Sequence, residues 1–288
     1  MEIFIVKTAG FCFGVKRAIN MAYDAAKEAP EHISTLGPII HNPQVVSELE
    51  KSNIFAKSDI NEIQSGTVII RSHGITLDEM ENVENRKLKI VDATCPFVKK
   101  AQEYVKMLTA EGYFIVVIGE KEHPEVKGIV SYAGKNVAVL GSKEDVINLP
   151  RVKRLGIVAQ TTQSLENFQE IVSLCLNKAG EIKIFNTICN ATNIRQKEST
   201  ELASRVDCML VVGGKNSANT NRLTEVCKRI QPNTYHIEVS EEIKEAWFKG
   251  VKGVGITAGA STPEWIIKDV LDTVKHINCK AEKLLVSM

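Results

Sequence analysis

No run in the 288-residue sequence approaches the roughly 18–20 apolar residues of a membrane-spanning helix. Its opening stretch, MEIFIVKTAGFC, holds too short an apolar run for a secretory signal. Neither sign of charge prevails: 36 Lys and Arg against 35 Asp and Glu leave a formal net charge of +1. A chain without a basic excess is not expected to bind nucleic acid or an anionic membrane. Any anionic ligand is then to be held by local groups. The seven cysteines include no C-x-x-C pair, and an odd number forbids complete pairing. The first fact weakens a structural-zinc reading. Together these absences point to a cytoplasmic chain whose thiols are structural, reactive or metal-binding.

What is present is a repeat. EIFIVKTAGFCFGVKRAI, KLKIVDATCPFVKKAQ and EIKIFNTICNATNIRQKES each run from an apolar strand through a cysteine into a basic helix start. The cysteines are Cys12, Cys95 and Cys189, separated by 83 and 94 residues. A second echo, HISTLGPIIHNPQVV, YFIVVIGEKEHPEVKGI and CMLVVGGKNSANTNRL, places His41, His123 and Ser217 in corresponding turns, 29, 28 and 28 residues after the cysteines. A looser third, TVIIRSHGIT, RLGIVAQTTQS and GVGITAGASTPE, places His73, Thr161 with Thr162, and Ser261 just past a strand.

Alternating strands and helices imply parallel sheets with helical crossovers. The fold expected is α/β, three pseudo-threefold-related units with mostly parallel sheets around a central cavity. The units are placed at 1–97, 98–190 and 191–269, with the tail 270–288 packing back on the first. In the second unit, strands are predicted near Tyr113–Ile118, Val137–Leu140, Arg154–Val158 and Glu181–Phe185. Helices are predicted near Lys99–Glu111, Glu125–Ala133 and Leu165–Lys178, with a short one near Lys143–Asn148. The third unit ends in the helix PEWIIKDVLDTVKHI with no strand following, and the N-terminal strand Glu2 to Lys7 is expected to fill that place.

Parallel sheets bind ligands outside the carboxyl ends of their strands, where all nine echo positions are expected. The other cysteines, Cys175, Cys208, Cys227 and Cys279, are read as packing residues. Three convergent cysteines leave several chemistries open: an iron–sulfur cluster with one iron lacking a thiolate, zinc, or buried thiols with no metal. The remaining echo residues form a ring of neutral donors at helix starts, where backbone N–H groups favour anions. Pro43 and Pro124 stand where a first-turn proline belongs. Such a ring suits a diphosphate with little lysine nearby. Glu125, on the first turn after His123, becomes a natural proton donor if a closed cavity raises its pKa.

Read together, GFCFGVKRAI, LGPIIHNPQVV, RSHGI, VDATCPFV, HPEVKG, QTTQS, ATNIRQ, NSANTNRL and GASTPEWI cover almost the whole chain. In this order they resemble the LytB-type iron–sulfur reductase family, the 4-hydroxy-3-methylbut-2-enyl diphosphate reductases. The resemblance implies a trefoil enclosing one [4Fe-4S] cluster, with Cys12, Cys95 and Cys189 as ligands and one open iron. It implies that His41, His73 and His123, with Ser217, Asn219 and Ser261, hold the diphosphate and shape the pocket. Glu125 and Thr161 would deliver the proton and position the hydroxyl. The implied reaction is a two-electron, two-proton removal of the C4 hydroxyl, an isoprenoid-precursor step of the methylerythritol phosphate pathway. A reduced ferredoxin or flavodoxin would supply the electrons. Quinolinate synthase, another three-cysteine iron–sulfur protein, would call for pocket arginines that the echo positions lack. One departure stands out: Ala218 lies where the family often carries a second serine.

Overall fold

The computed structural model describes residues 1–28 and 32–286, with side chains described as far as Cys279. In chain order the elements begin β1 (Glu2–Ile5), α1 (Phe13–Glu28), β2 (Ile33–Leu36), α2 (Pro43–Lys51), β3 (Ile54–Lys57), β4 (Thr67–Ile70), α3 (Leu77–Asn85), β5 (Lys89–Asp92) and α4 (Pro96–Ala110). The second stretch comprises β6 (Phe114–Ile118), α5 (Pro124–Val130), β7 (Val137–Leu140), β8 (Val152–Ala159), α6 (Leu165–Cys175) and β9 (Ala179–Ile184). The third comprises α7 (Asn190–Ala203), β10 (Cys208–Val212), α8 (Ala218–Ile230), β11 (Thr234–Ile237), β12 (Gly253–Ala258) and α9 (Glu264–Val286). The short helix predicted at Lys143–Asn148 is a 3-10 turn.

The strands form three four-stranded parallel sheets, ordered β3-β2-β4-β5, β7-β6-β8-β9 and β11-β10-β12-β1. The connectivity is the same in each once β1 is counted as the fourth strand of the third. The N-terminal strand does fill the vacant place: Glu2 pairs with Gly253 and Ile5 with Ile256. By compactness the chain divides into one unit of Phe13–Ile40 with Gln44–Cys189, and another of Met1–Cys12, His41–Pro43 and Asn190–Met288. The first holds two of the sheets and the second holds the third.

Central strands are continuous apolar runs because both sheet faces are covered. β10 is buried at every residue. In the second sheet, Val116, Ile118, Leu155 and Ile157 pack on one face with Phe168 and Ile171 of α6. Ile115, Val117 and Val158 face the other way, against Val105 and Leu108 of α4 and Ile129 of α5. Each such aliphatic side chain contributes about 1.5–3 kcal/mol on burial.

Boundaries depart from the sequence reading where capping chemistry intervenes. The helix expected from Lys99 starts at Pro96, with Cys95 as its N-cap and proline in the first turn, where a missing N–H costs nothing. The helix expected to reach Lys178 stops at Cys175, and the Lys178 N–H turns back to the Cys175 carbonyl. In the tail, Ile266, Ile267, Val270 and Val274 of α9 pack on the sheet holding β10 and β12, together with Met1 and Ile3. The part of the 270–288 expectation that concerns residues 287–288, or side chains beyond Cys279, lies outside the described residues. Cys175, Cys208 and Cys227 are buried as expected, but Cys279 is exposed and is not a packing residue. No described helix is long and apolar enough to cross a membrane.

Candidate functional site

All nine echo positions stand between the end of a strand and the start of the next helix. Local chemistry explains several of them. His123 caps α5, its Nδ1 accepting the Glu125 N–H at 3.1 Å, and Pro124 fills the first helical position. Ser217 caps α8 by accepting the Thr220 N–H, which leaves Ala218 and Asn219 in the buried first turn. Pro43 opens α2 just after His41.

The three cysteines share one backbone bond. Cys12 N–H donates to Ala260 O at 3.1 Å, Cys95 N–H to Ser72 O at 2.9 Å and Cys189 N–H to Thr161 O at 2.9 Å. Every acceptor lies in a third-echo turn, so the repeat extends to individual hydrogen bonds. Ala260 and Ser72 directly precede Ser261 and His73, which makes Thr162 the counterpart of those two residues and Thr161 the counterpart of their neighbours.

In the unit that holds Cys189, Thr161 N–H donates to Glu125 Oε1 at 2.6 Å and Thr161 Oγ1 to Glu125 Oε2 at 2.9 Å. Glu125 is 1% exposed. Burial pushes its carboxyl up to about 7, and the two Thr161 bonds pull only partly the other way. A carboxylic acid so placed is half-protonated near neutral pH, the condition for general-acid catalysis. The imidazoles of His73 and His123 meet edge to face, centroids 5.3 Å apart.

In the other unit, Ser261 Oγ donates to His41 O at 3.3 Å. A Cβ added at Gly214 would lie 2.6 Å from that same carbonyl oxygen, so glycine there lets the two chain segments meet. Asn219 is buried beside the Ser217 cap.

The sequence reading missed the groups that hold the cysteine loops. Asp92 accepts the Thr94 N–H at 2.9 Å and pairs with Lys99 at 2.5 Å, while Arg17 Nη1 donates to Thr94 O at 3.2 Å. Asn186 likewise accepts the Ile188 N–H at 3.1 Å. The signal was present as an Asx residue three positions before Cys95 and Cys189, in DATC and NTIC, since short amide and carboxylate side chains stabilise such turns.

The donor set discriminates among the cysteines. Burial pushes the thiols of Cys208 and Cys227 up to about 12, which opposes thiolate formation and metal ligation. Cys12, Cys95 and Cys189 are only half-buried, at turns between strand and helix. They fit the ligands of an iron–sulfur group, and the deeply buried thiols do not.

A family model described as LytB protein matches residues 3–275. The chain is 58% identical over 280 residues to a 4-hydroxy-3-methylbut-2-enyl diphosphate reductase of Pelobacter propionicus, covering 97% of this chain and 100% of that protein. It is 56% identical over 280 residues to a protein of the same name from Geobacter sulfurreducens, covering 97% and 99%. A solved structure of (E)-4-hydroxy-3-methyl-but-2-enyl diphosphate reductase, the terminal enzyme of the non-mevalonate pathway, matches with a TM-score of 0.70 at 48% identity over 96% of this chain and 100% of that one. A solved structure of the E-1-hydroxy-2-methyl-but-2-enyl-4-diphosphate reductase from Plasmodium falciparum matches with a TM-score of 0.89 at 31% identity, covering 96% of this chain and 87% of that one.

Proposed function

Since the chain belongs to the LytB protein family, we propose that it reduces 4-hydroxy-3-methylbut-2-enyl diphosphate to isopentenyl and dimethylallyl diphosphates. The C4–O bond breaks, the oxygen leaves as water with one proton, and the allyl fragment takes two electrons and a second proton. Cys12, Cys95 and Cys189 hold an iron–sulfur group, a [4Fe-4S] cluster with one open iron in the fullest form of this reading. When bound, that group supplies one-electron transfer, recharged by a reduced ferredoxin or flavodoxin in the cytoplasm. The three-unit division at residues 97 and 190 belongs to the same reading, supported by the three sheets of like connectivity.

The observation that carries the proposal is the hydrogen-bonded line Glu125–Thr161–Cys189. It joins a half-protonated acid to a hydroxyl, and that hydroxyl's own residue to a cysteine loop. Glu125 holds the proton that leaves with the hydroxyl. Thr161 Oγ1, bonded to Glu125, orients the substrate hydroxyl and passes the proton along. His41, His73 and His123 with Ser217, Asn219 and Ser261 bind the diphosphate, the histidines adjusting their charge to the ligand.

Protein purified without oxygen should be brown, hold iron in excess of zinc, and convert the hydroxylated diphosphate when given a reduced one-electron donor. A colourless zinc protein that leaves the substrate intact would overturn the reading.

A further inference from the structure

α7 buries an unusual face: its inward residues are Thr192, Arg195, Ser199 and Ala203, three of them polar. A helix stripe facing inward normally gains by removing apolar area from water, and a buried guanidinium is costly unless its donors are engaged. Here Arg195 Nη1 donates to Ala258 O at 2.6 Å, and the Ser199 hydroxyl lies 2.8 Å from Thr257 Oγ1. Both partners are at the end of β12. Directional bonds fix the rotation and height of α7 on that strand more tightly than interchangeable apolar contacts would.

From the same helix Glu198 reaches the loop between β1 and Cys12. Its Oε2 alone accepts both the Thr8 N–H, at 3.1 Å, and the Thr8 hydroxyl, at 2.8 Å. Four residues on, Cys12 N–H donates to Ala260 O, two residues past the carbonyl that Arg195 holds. Between them Gly10 turns the chain at φ +104°, a conformation that favours glycine. The loop is therefore pinned at Thr8 by α7 and at Cys12 by the continuation of β12. Arg195 and Ser199 hold those two anchors to each other.

We propose that Glu198 is the positioning residue for Cys12: it orders the approach to the cysteine so that the sulfur is presented for the iron–sulfur group. The inference deepens the function proposed above and rests on it. Because one oxygen takes both bonds, acceptor geometry decides the effect, and the single carbonyl oxygen of glutamine suffices.

The test uses the full chain prepared without oxygen, as Glu198→Ala, Glu198→Gln and Thr8→Val. It reads backbone hydrogen exchange at Thr8 and the rate at which a chelator bleaches the brown colour. Losing both hydrogen bonds to that oxygen should speed both at least about tenfold in Glu198→Ala, while Glu198→Gln should stay within about threefold of the parent. Thr8→Val, which keeps the N–H and loses the hydroxyl, should fall between them, and it carries the test if Glu198→Ala does not fold. Parent-like exchange and bleaching in Glu198→Ala or Thr8→Val would overturn the clamp, as would a glutamine variant as impaired as the alanine one. Parent protein without iron would count against the cluster reading instead, and the order of Thr8 exchange among the variants would still decide the clamp.

Discussion

Thr161 gives both its backbone N–H and its hydroxyl to the carboxylate of Glu125, one to each oxygen. The pair is buried and the acid is poised near neutrality. The bonds to Thr161 thus temper a shift that burial drives.

Replacing Glu125 with glutamine keeps the shape and removes the acid. Turnover should fall at least about a hundredfold, within the range of a lost general acid, with iron content and substrate affinity retained. Single-turnover kinetics without oxygen would measure the loss, and near-normal turnover would remove Glu125 from its role.

The same carboxyl links pH to folding. Between the ordinary value of 4.5 and about 7 the folded chain keeps a proton that the unfolded chain has lost. Stability from this group is therefore fully present below 4.5, declines as pH rises across that window and is flat above it. The full span is on the order of 3 kcal/mol. Urea unfolding of the metal-free chain at pH 5 and pH 7.5 should show the decline, and Glu125→Gln should flatten this component. An equal decline in the variant would assign it elsewhere.

Thr161→Val removes the hydroxyl that lowers the Glu125 pKa and leaves the backbone bond. The carboxyl should then titrate higher, so the falling limb of turnover above pH 7 moves to more alkaline pH even as the maximal rate drops. Thr161→Ser keeps the donor and should leave the limb in place. A pH–rate profile of the two variants checks both statements.

Changing Cys12, Cys95 or Cys189 to serine should lower bound iron severalfold in protein purified without oxygen. Cys175→Ser, buried among Phe168 and Ile171 on the α6 side of the second sheet, should not. Iron analysis per chain separates the sets, and equal loss in Cys175→Ser would argue against the donor assignment.

The strand-end placement of Cys12, Cys95 and Cys189 was legible because one pattern, strand then turn then helix, recurs along the chain. So was the loan of β1 to the third sheet, from a strand missing after α9. The third echo was ambiguous at Thr161 and Thr162, since two adjacent threonines look alike until the Cys189 N–H selects one carbonyl. The loop clamps were harder to see. Arg17 meets Thr94 and Glu198 meets Thr8 across 77 and 190 residues, and no local periodicity reports a partner so distant. Cys279 misled because it stands in the tail just past the predicted helix PEWIIKDVLDTVKHI; α9 continues through it, and a helix's continuation does not fix which face a residue presents.

The pairing of Glu2 with Gly253 carries a consequence for biosynthesis. At about 5–20 residues per second, the strand that β1 joins leaves the ribosome roughly 12 to 50 s after β1 itself. Throughout that interval the nascent chain can complete its other two sheets, while the amide of Cys12 still lacks the carbonyl of residue 260. The turn that carries Cys12 is thereby closed only once β12 and the residues just past it have been made.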